Sequence, residues 1–210
     1  IHLKNMVILI FDLETSGLNP YHDDIIEIGA KVINSDNCFN TLLKPKSNRL
    51  ISKKITEITG ITNKILRDEG KSWLTAYTEF YNWLFELTNG DEQTVIVSHN
   101  GNTFDFIFLR RMLRELSNES AGNDKINIDD FIFIDTLLVS RRLLPDRSYY
   151  SQPTLAKSFH IQNNNAHRAM GDVIVLEGIY KKLLEILLSR EKIDGVESPE
   201  KILDYINLKL

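Results

Sequence analysis

"IFDLETSGL", Ile10–Leu18, is the stretch on which the reading of this chain turns. The apolar run Met6–Phe11 has the composition of a central strand, dry on both faces. Yet it ends in two carboxylates one residue apart, Asp12 and Glu14. Alternate residues leave the same face of a strand, so these two charges are neighbours. Burying unpaired carboxylates is costly unless they are paired or hold a cation. Two readings stand open here. Either the strand end is solvated, or it is half of a site for a hard divalent cation such as Mg²⁺ or Mn²⁺, which prefers carboxylate oxygen.

Around this stretch the periodicity gives the frame. Met6–Phe11, Ile25–Ile33 and Cys38–Leu43 read as strands, and their short connections predict an antiparallel meander. After Pro45 the period becomes helical. Ser52 caps a helix that Gly60 stops, "ITNKILRDEG" (Ile61–Gly70) is a second short helical stretch, and Trp73–Leu87 is a longer one. A β-branched strand, Thr94–Ser98, leads to helix Phe104–Leu116 and a polar loop. Strand Phe131–Ile134, helices Thr136–Leu144 and Thr154–Phe159, an asparagine loop and a long helix Arg168–Leu188 follow. Strands first, then strand–helix alternation, predict the α/β class: a mixed five-stranded sheet, antiparallel meander plus parallel strands, flanked by helices on both faces. Residues 1–189 read as one domain and 190–210 as a C-terminal helical extension capped at Ser198.

The 210 residues carry a formal net charge of −4, so any contact with nucleic acid must be local rather than spread over a basic face. Apolar residues (42%) and charged residues (26%) are in the proportions of an ordinary globular chain. A single cysteine, Cys38, excludes an internal disulfide framework, fits a reducing compartment and reads as a small buried hydrophobe. No run reaches bilayer length and no signal peptide shows, which predicts an intracellular protein, cytoplasmic or nuclear, without membrane contact.

Two further stretches carry acids. In "SHNGNTFDFIFLRR", Ser98–Arg111, a strand passes through small polar residues into a helix whose first turn holds Asp105. Such strand-to-helix loops present catalytic groups, although an acid there also suits the helix dipole. In "NNNAHRAMGD", Asn163–Asp172, His167 and Asp172 would lie about 140° apart on a regular helix. The asparagine loop places His167 at the helix entrance instead, with Asp172 on the helix proper.

In order, D-x-E, then D after a strand and turn, then H-x-x-x-x-D opening the last long helix, the set resembles the DEDDh subgroup of the DnaQ-like 3′–5′ exonuclease family. "ITGIT" (Ile58–Thr62) and "IDTLLVSRRLLP" (Ile134–Pro145) add to the likeness, which spans about Met6–Leu188. The resemblance implies a ribonuclease H-like fold and a nuclease working with two Mg²⁺ or Mn²⁺ ions about 4 Å apart. It implies Asp12, Glu14, Asp105 and Asp172 as metal ligands, Asp105 directly or through water, and His167 as the base for the attacking water. Thr15, Leu18, Ile61 and Asn100 fall where the family meets the terminal nucleotide and its neighbour. The expected products are nucleoside 5′-monophosphates from 3′ ends, of DNA in preference to RNA, in proofreading, repair or degradation. Any polymerase partner would be a separate chain. An RNA-trimming enzyme and, less favoured, a non-catalytic nucleic-acid-binding module are the rival readings.

The remaining polar residues take simpler expectations. Asp23–Asp24 and Asp129–Asp130 read as turn residues, and Asp135 ends a strand without a partner acid two residues away. Arg110, Arg111 and Arg114 read as a solvated helix face, and Arg141, Arg142 and Arg147 similarly. Tyr149 and Tyr150 either stack a base or pack their loop.

Overall fold

The computed structural model describes residues 6–88, 93–119, 126–162 and 167–191. Five strands, β1 (Met6–Thr15), β2 (Ile25–Val32), β3 (Cys38–Leu42), β4 (Gln93–Ser98) and β5 (Ile132–Asp135), form one sheet in the order β3-β2-β1-β4-β5. The meander β1–β2–β3 is antiparallel, whereas β4 pairs parallel to β1 and β5 parallel to β4. The parallel strands β1, β4 and β5 therefore end on one side of the molecule, where open sheets present their ligands.

The α-helices among the described residues are α1 (Lys53–Thr59), α2 (Asn63–Glu69), α3 (Trp73–Thr88), α4 (Asp105–Glu119), α5 (Thr136–Leu143), α6 (Gln152–Ser158) and α7 (Ala169–Glu191). The strand pleat sorts β1 between two cores. Leu9, Phe11 and Leu13 pack with α3 and α4, whose Phe80 ring sits 5.8 Å from that of Phe11. Ile10, with Val95, Val97 and Ile134, packs under α5, α6 and α7 through Leu155, Val173, Leu176 and Tyr180. Asp12 and Glu14 continue the Ile10 side, so they face α7.

Local chemistry sets the helix ends. Ser52 accepts a hydrogen bond from the Ile55 amide at the start of α1, and Gly60 ends it at φ 70°, a conformation that favours glycine. Beyond Leu13 the first strand runs on to Thr15, longer than the apolar run alone predicts, because Glu14 and Thr15 pair with β2 across a bulge. Asp105 starts α4 and Asp135 caps α5.

Two expectations are corrected here. Cys38 is exposed, not buried: it begins the edge strand on the face shared with Lys31, and α7 packs over β1 and β2 but leaves that face of β3 open. Arg111 is no solvated residue. Its guanidinium is largely buried and donates to the carbonyls of Pro20 and Asp23, both at 2.6 Å, tying α4 to the loop after β1. Among the described residues no helix is long and apolar enough to cross a membrane. The helix expected from Ser198 lies outside the described residues.

Candidate active site

Position along β2 decides how α7 lies. Glu27, Gly29 and Lys31 point to the same face of the sheet, and each meets α7 or its entrance. The Glu27 carboxylate accepts from Arg168 Nε (3.0 Å) and Nη2 (2.8 Å) and from the Ala169 amide (3.1 Å). Gly29 comes against the Ala169 backbone so closely that a Cβ there would stand 2.7 Å from the Ala169 carbonyl carbon. Further along, Lys31 bonds Glu177 at 2.6 Å, and Glu177 also takes the Asn34 amide at 3.0 Å. These contacts lay α7 along the meander with its first turn over the end of β1.

The result is a cluster of carboxylates from opposite ends of the chain. Single oxygens of Asp12, Glu14 and Asp172 all lie within 4.8 Å of one another. Both Asp172 oxygens have further partners: the His167 amide donates to one at 3.0 Å, and Gln152 Nε2 lies 3.4 Å from the other. His167 stands two residues before α7 in the left-handed region (φ 63°), its side chain exposed beside the cluster's third acid.

Asp105 is held differently. It is nearly fully buried, with one oxygen taking the Leu13 amide at 3.2 Å and the other the Ser98 hydroxyl at 2.7 Å. It thus stands outside the group of three, its oxygens already engaged, while its charge still bears on Asp12.

The electrostatics of this set are unfavourable without a cation. Burial, then the charges of Asp105, Glu14 and Asp172, hold Asp12 well above the usual carboxylate range. Burial and the neighbouring carboxylates of Asp172, Glu27 and Asp105 push Glu14 up to about 8, with Arg168 opposing. Asp105 rises to about 7 through burial, against its hydrogen bonds, and Asp172 is raised by burial as well. Carboxylates converging in this way are the donor set of a hard divalent cation, and the residues fit one.

The substrate-side expectations divide. Leu18 is 82% exposed at the tip of the loop after β1, which is braced by Thr15 Oγ1 on the Gly17 carbonyl (2.6 Å) and Asp23 on the Asn19 amide (2.8 Å). Asn100 is exposed at φ 63° in the loop before α4. Thr15 is buried, its hydroxyl occupied. Ile61 is corrected outright: it is 0% exposed, enclosed with Ile26, Ile51 and Leu66, and offers no surface to a base. Of "ITGIT", Thr59 and Ile61 are buried while Ile58 is exposed.

Four contributors were not among the site residues expected from the sequence. Asp135, without a partner acid two residues away, accepts the amides of Asn100 (2.9 Å) and Asn102 (3.1 Å) while capping α5 at the Leu137 amide, and so shapes the loop before α4. Asp24, expected in a simple turn, is buried and accepts from the Ser47 amide and hydroxyl. Glu27 carries a signal, an acid inside the apolar run "IIEIGA", whereas Gln152 carries none.

Comparison with known proteins agrees with this architecture. Residues 9–180 match the RNase_T exonuclease family model. A DNA polymerase III PolC-type of Thermotoga petrophila is 32% identical over 211 residues, taking in 98% of this chain and 14% of that protein. That of Bacillus subtilis is 29% identical over 186 residues, 87% of this chain and 12% of that protein. The chain thus spans about an eighth to a seventh of these relatives' length. The structure of E. coli exonuclease I in complex with a dT13 oligonucleotide shares the fold, with a TM-score of 0.71 at 22% identity, over 96% of this chain and 43% of that one.

Proposed function

The chain belongs to the RNase_T exonuclease family, and from that membership we propose a divalent-metal-dependent 3′–5′ exonuclease acting on single-stranded or frayed 3′ ends of DNA. The observation that carries this reading is the meeting of Asp12, Glu14 and Asp172 within 4.8 Å, with His167 at the entrance of the same helix. DNA is favoured over RNA because the relatives are named DNA polymerases and the solved neighbour holds a DNA oligonucleotide. Proofreading alongside a polymerase is the corresponding role.

Asp12, Glu14 and Asp172 would hold Mg²⁺ or Mn²⁺, whose bound charge stabilises the scissile phosphate and lowers the pKa of a water. Asp105, already committed to Leu13 and Ser98, would act through water and fix the backbone between Asp12 and Glu14. The exposed His167 imidazole takes the proton of the attacking water. Leu18 and Asn100 border the terminal nucleotide, and Thr15 shapes the loop that carries Leu18.

The test compares linear and circular single-stranded DNA and a linear RNA, all labelled, in Mg²⁺, Mn²⁺ or EDTA. The linear DNA should shorten from its 3′ end into mononucleotides, the circle should survive, and EDTA should abolish the reaction. Faster trimming of RNA would transfer the proposal to an exoribonuclease. Cutting of the circle, or full activity in EDTA, would refute it.

A further inference from the structure

Beside the acidic cluster, on its β4–β5 flank, lies a cavity of about 560 Å³ whose walls include His99, Asn100, Arg141, Tyr149, Tyr150 and Gln152. It is an open groove, wide enough to take a ligand, rather than an enclosed packing fault. Gln152 joins it directly to the chemistry, because its Nε2 donates to the Asp172 carbonyl at 2.9 Å and lies 3.4 Å from the Asp172 carboxylate. The loop bearing Leu18 connects β1 to β2, on the opposite flank of β1. The catalytic centre therefore lies between two different walls.

The two tyrosines of this wall are not equivalent. Tyr150 is tied down, its hydroxyl donating to the Leu144 carbonyl at 2.5 Å, which anchors the loop. Tyr149 is 75% exposed and makes no hydrogen bond or ring contact among the described residues. A large aromatic ring held out by an anchored loop, at the wall of this cavity, is a platform for another flat ring. Arg141 faces the same cavity from α5, exposed and without an ion pair among the described residues. On a chain of net charge −4, an unpaired guanidinium at that position is a local anion contact.

We propose that this cavity receives the substrate strand on the 5′ side of the nucleotide being released, with Tyr149 stacking on a base and Arg141 pairing with a backbone phosphate. The occupant is the single strand itself, and the inference rests on the exonuclease reading above. Stacking on an aromatic ring tolerates any base, as a degradative or proofreading nuclease requires. Gln152 is a positioning residue here, carrying the cavity wall up to Asp172.

Two substrates separate this subsite from the catalytic centre: thymidine 5′-p-nitrophenyl phosphate, which has a single nucleotide, and a 5′-fluorescein dT12 oligonucleotide. For Tyr149→Ala the ratio of kcat/KM for the oligonucleotide over that for the ester should fall roughly tenfold or more, the usual scale of a lost base stack. Tyr149→Trp should restore the ratio. Binding of the labelled dT12, followed by anisotropy in EDTA, should weaken by a similar factor in Tyr149→Ala. In Arg141→Gln the slope of log affinity against log salt should shrink by about 0.7, the loss of one phosphate contact on a single strand. An unchanged ratio with unchanged anisotropy would overturn the subsite. If the wild type hydrolyses neither substrate, the exonuclease reading fails, and the anisotropy arm alone still decides whether Tyr149 and Arg141 bind a strand.

Discussion

Arg168 lays its guanidinium along the Glu27 carboxylate, Nε at 3.0 Å and Nη2 at 2.8 Å, and Glu27 stands directly across the β1–β2 ladder from Glu14. The pair is therefore a brace between the sheet and the entrance of α7, one residue after His167 and four before Asp172. Glu27 is 1% exposed and takes the Ala169 amide as well, so its charge is fully committed to this junction. Glu27→Gln keeps an acceptor for the amide but gives up the charged fork. We expect stability to fall by about 1.5–3 kcal/mol, the worth of hydrogen bonds to a charged group. Turnover should fall with it, as Asp172 and His167 lose their common anchor. Thermal melts and kcat on a single-stranded oligonucleotide check this; wild-type values of both would show that α7 is held in place by its other contacts.

The metal-free protein should become less stable as pH rises from about 4.5 to about 8. Glu14 holds its proton in the folded state up to about 8, against 4.5 for an ordinary glutamate, and Asp12 and Asp172 are raised too. In this window the native chain binds protons that the unfolded chain releases, so the contribution is complete below 4.5 and is lost as pH passes through 8. Glu177, whose carboxyl is held below the usual range by Lys181 and Lys31 against its burial, changes stability only at more acid pH. Melting temperatures in EDTA should fall across the window, and Mg²⁺ should flatten the curve. An identical slope with and without Mg²⁺ would be the contrary result.

Asp12→Asn tests the same repulsion by another route. Burial, and then the charges of Asp105, Glu14 and Asp172, disfavour the ionised form of Asp12. Neutralising it should raise the melting temperature in EDTA, weaken the stabilisation given by Mg²⁺, and reduce exonuclease turnover below detection. A variant destabilised in EDTA would mean that the acids are compensated by groups other than a cation.

His167→Ala separates proton transfer from metal binding. The bond from position 167 to Asp172 comes from the backbone amide, at 3.0 Å, and survives loss of the imidazole. Turnover should drop by roughly 10²–10⁴-fold, the usual worth of a positioned base. The melting temperature and its response to Mg²⁺ should stay near wild type. Cleavage at the wild-type rate would assign the base to another group.

Much of this site was written in local sequence, and what was not is instructive. Asp12 and Glu14 stand out because they close an apolar strand, although alone they fit a solvated strand end as well as a cation site, and the caps Ser52 and Gly60 act within four residues of themselves. The ordered acids and histidine brought the family into view. What escaped depends on contacts between distant elements. Arg111 reads as surface on its own helix and is buried only because the loop after β1, 88 to 91 residues away in sequence, comes to lie against it. Ile61 matched a family position yet fills a core, since nothing in "ITGIT" says which side of α2 the sheet will occupy. Cys38 followed the general habit of cysteine, but exposure was set by how far α7 reaches across the sheet.

Gly29 carries no chemistry, yet it sets how near the chemistry can be assembled. It lies opposite Asp12 in the β1–β2 register, and the carbonyl carbon of Ala169 approaches it where any side chain would begin, 2.7 Å from a would-be Cβ. The missing methyl is thus a spacer of zero thickness between sheet and helix. Asp172 rides on that helix, one turn further along. Alanine at position 29 would act like a shim, lifting the first turn of α7 and opening the three-oxygen cluster without touching an acid. A single carbon atom, on a residue that contacts neither cation nor substrate, would dismantle the centre by thickness alone.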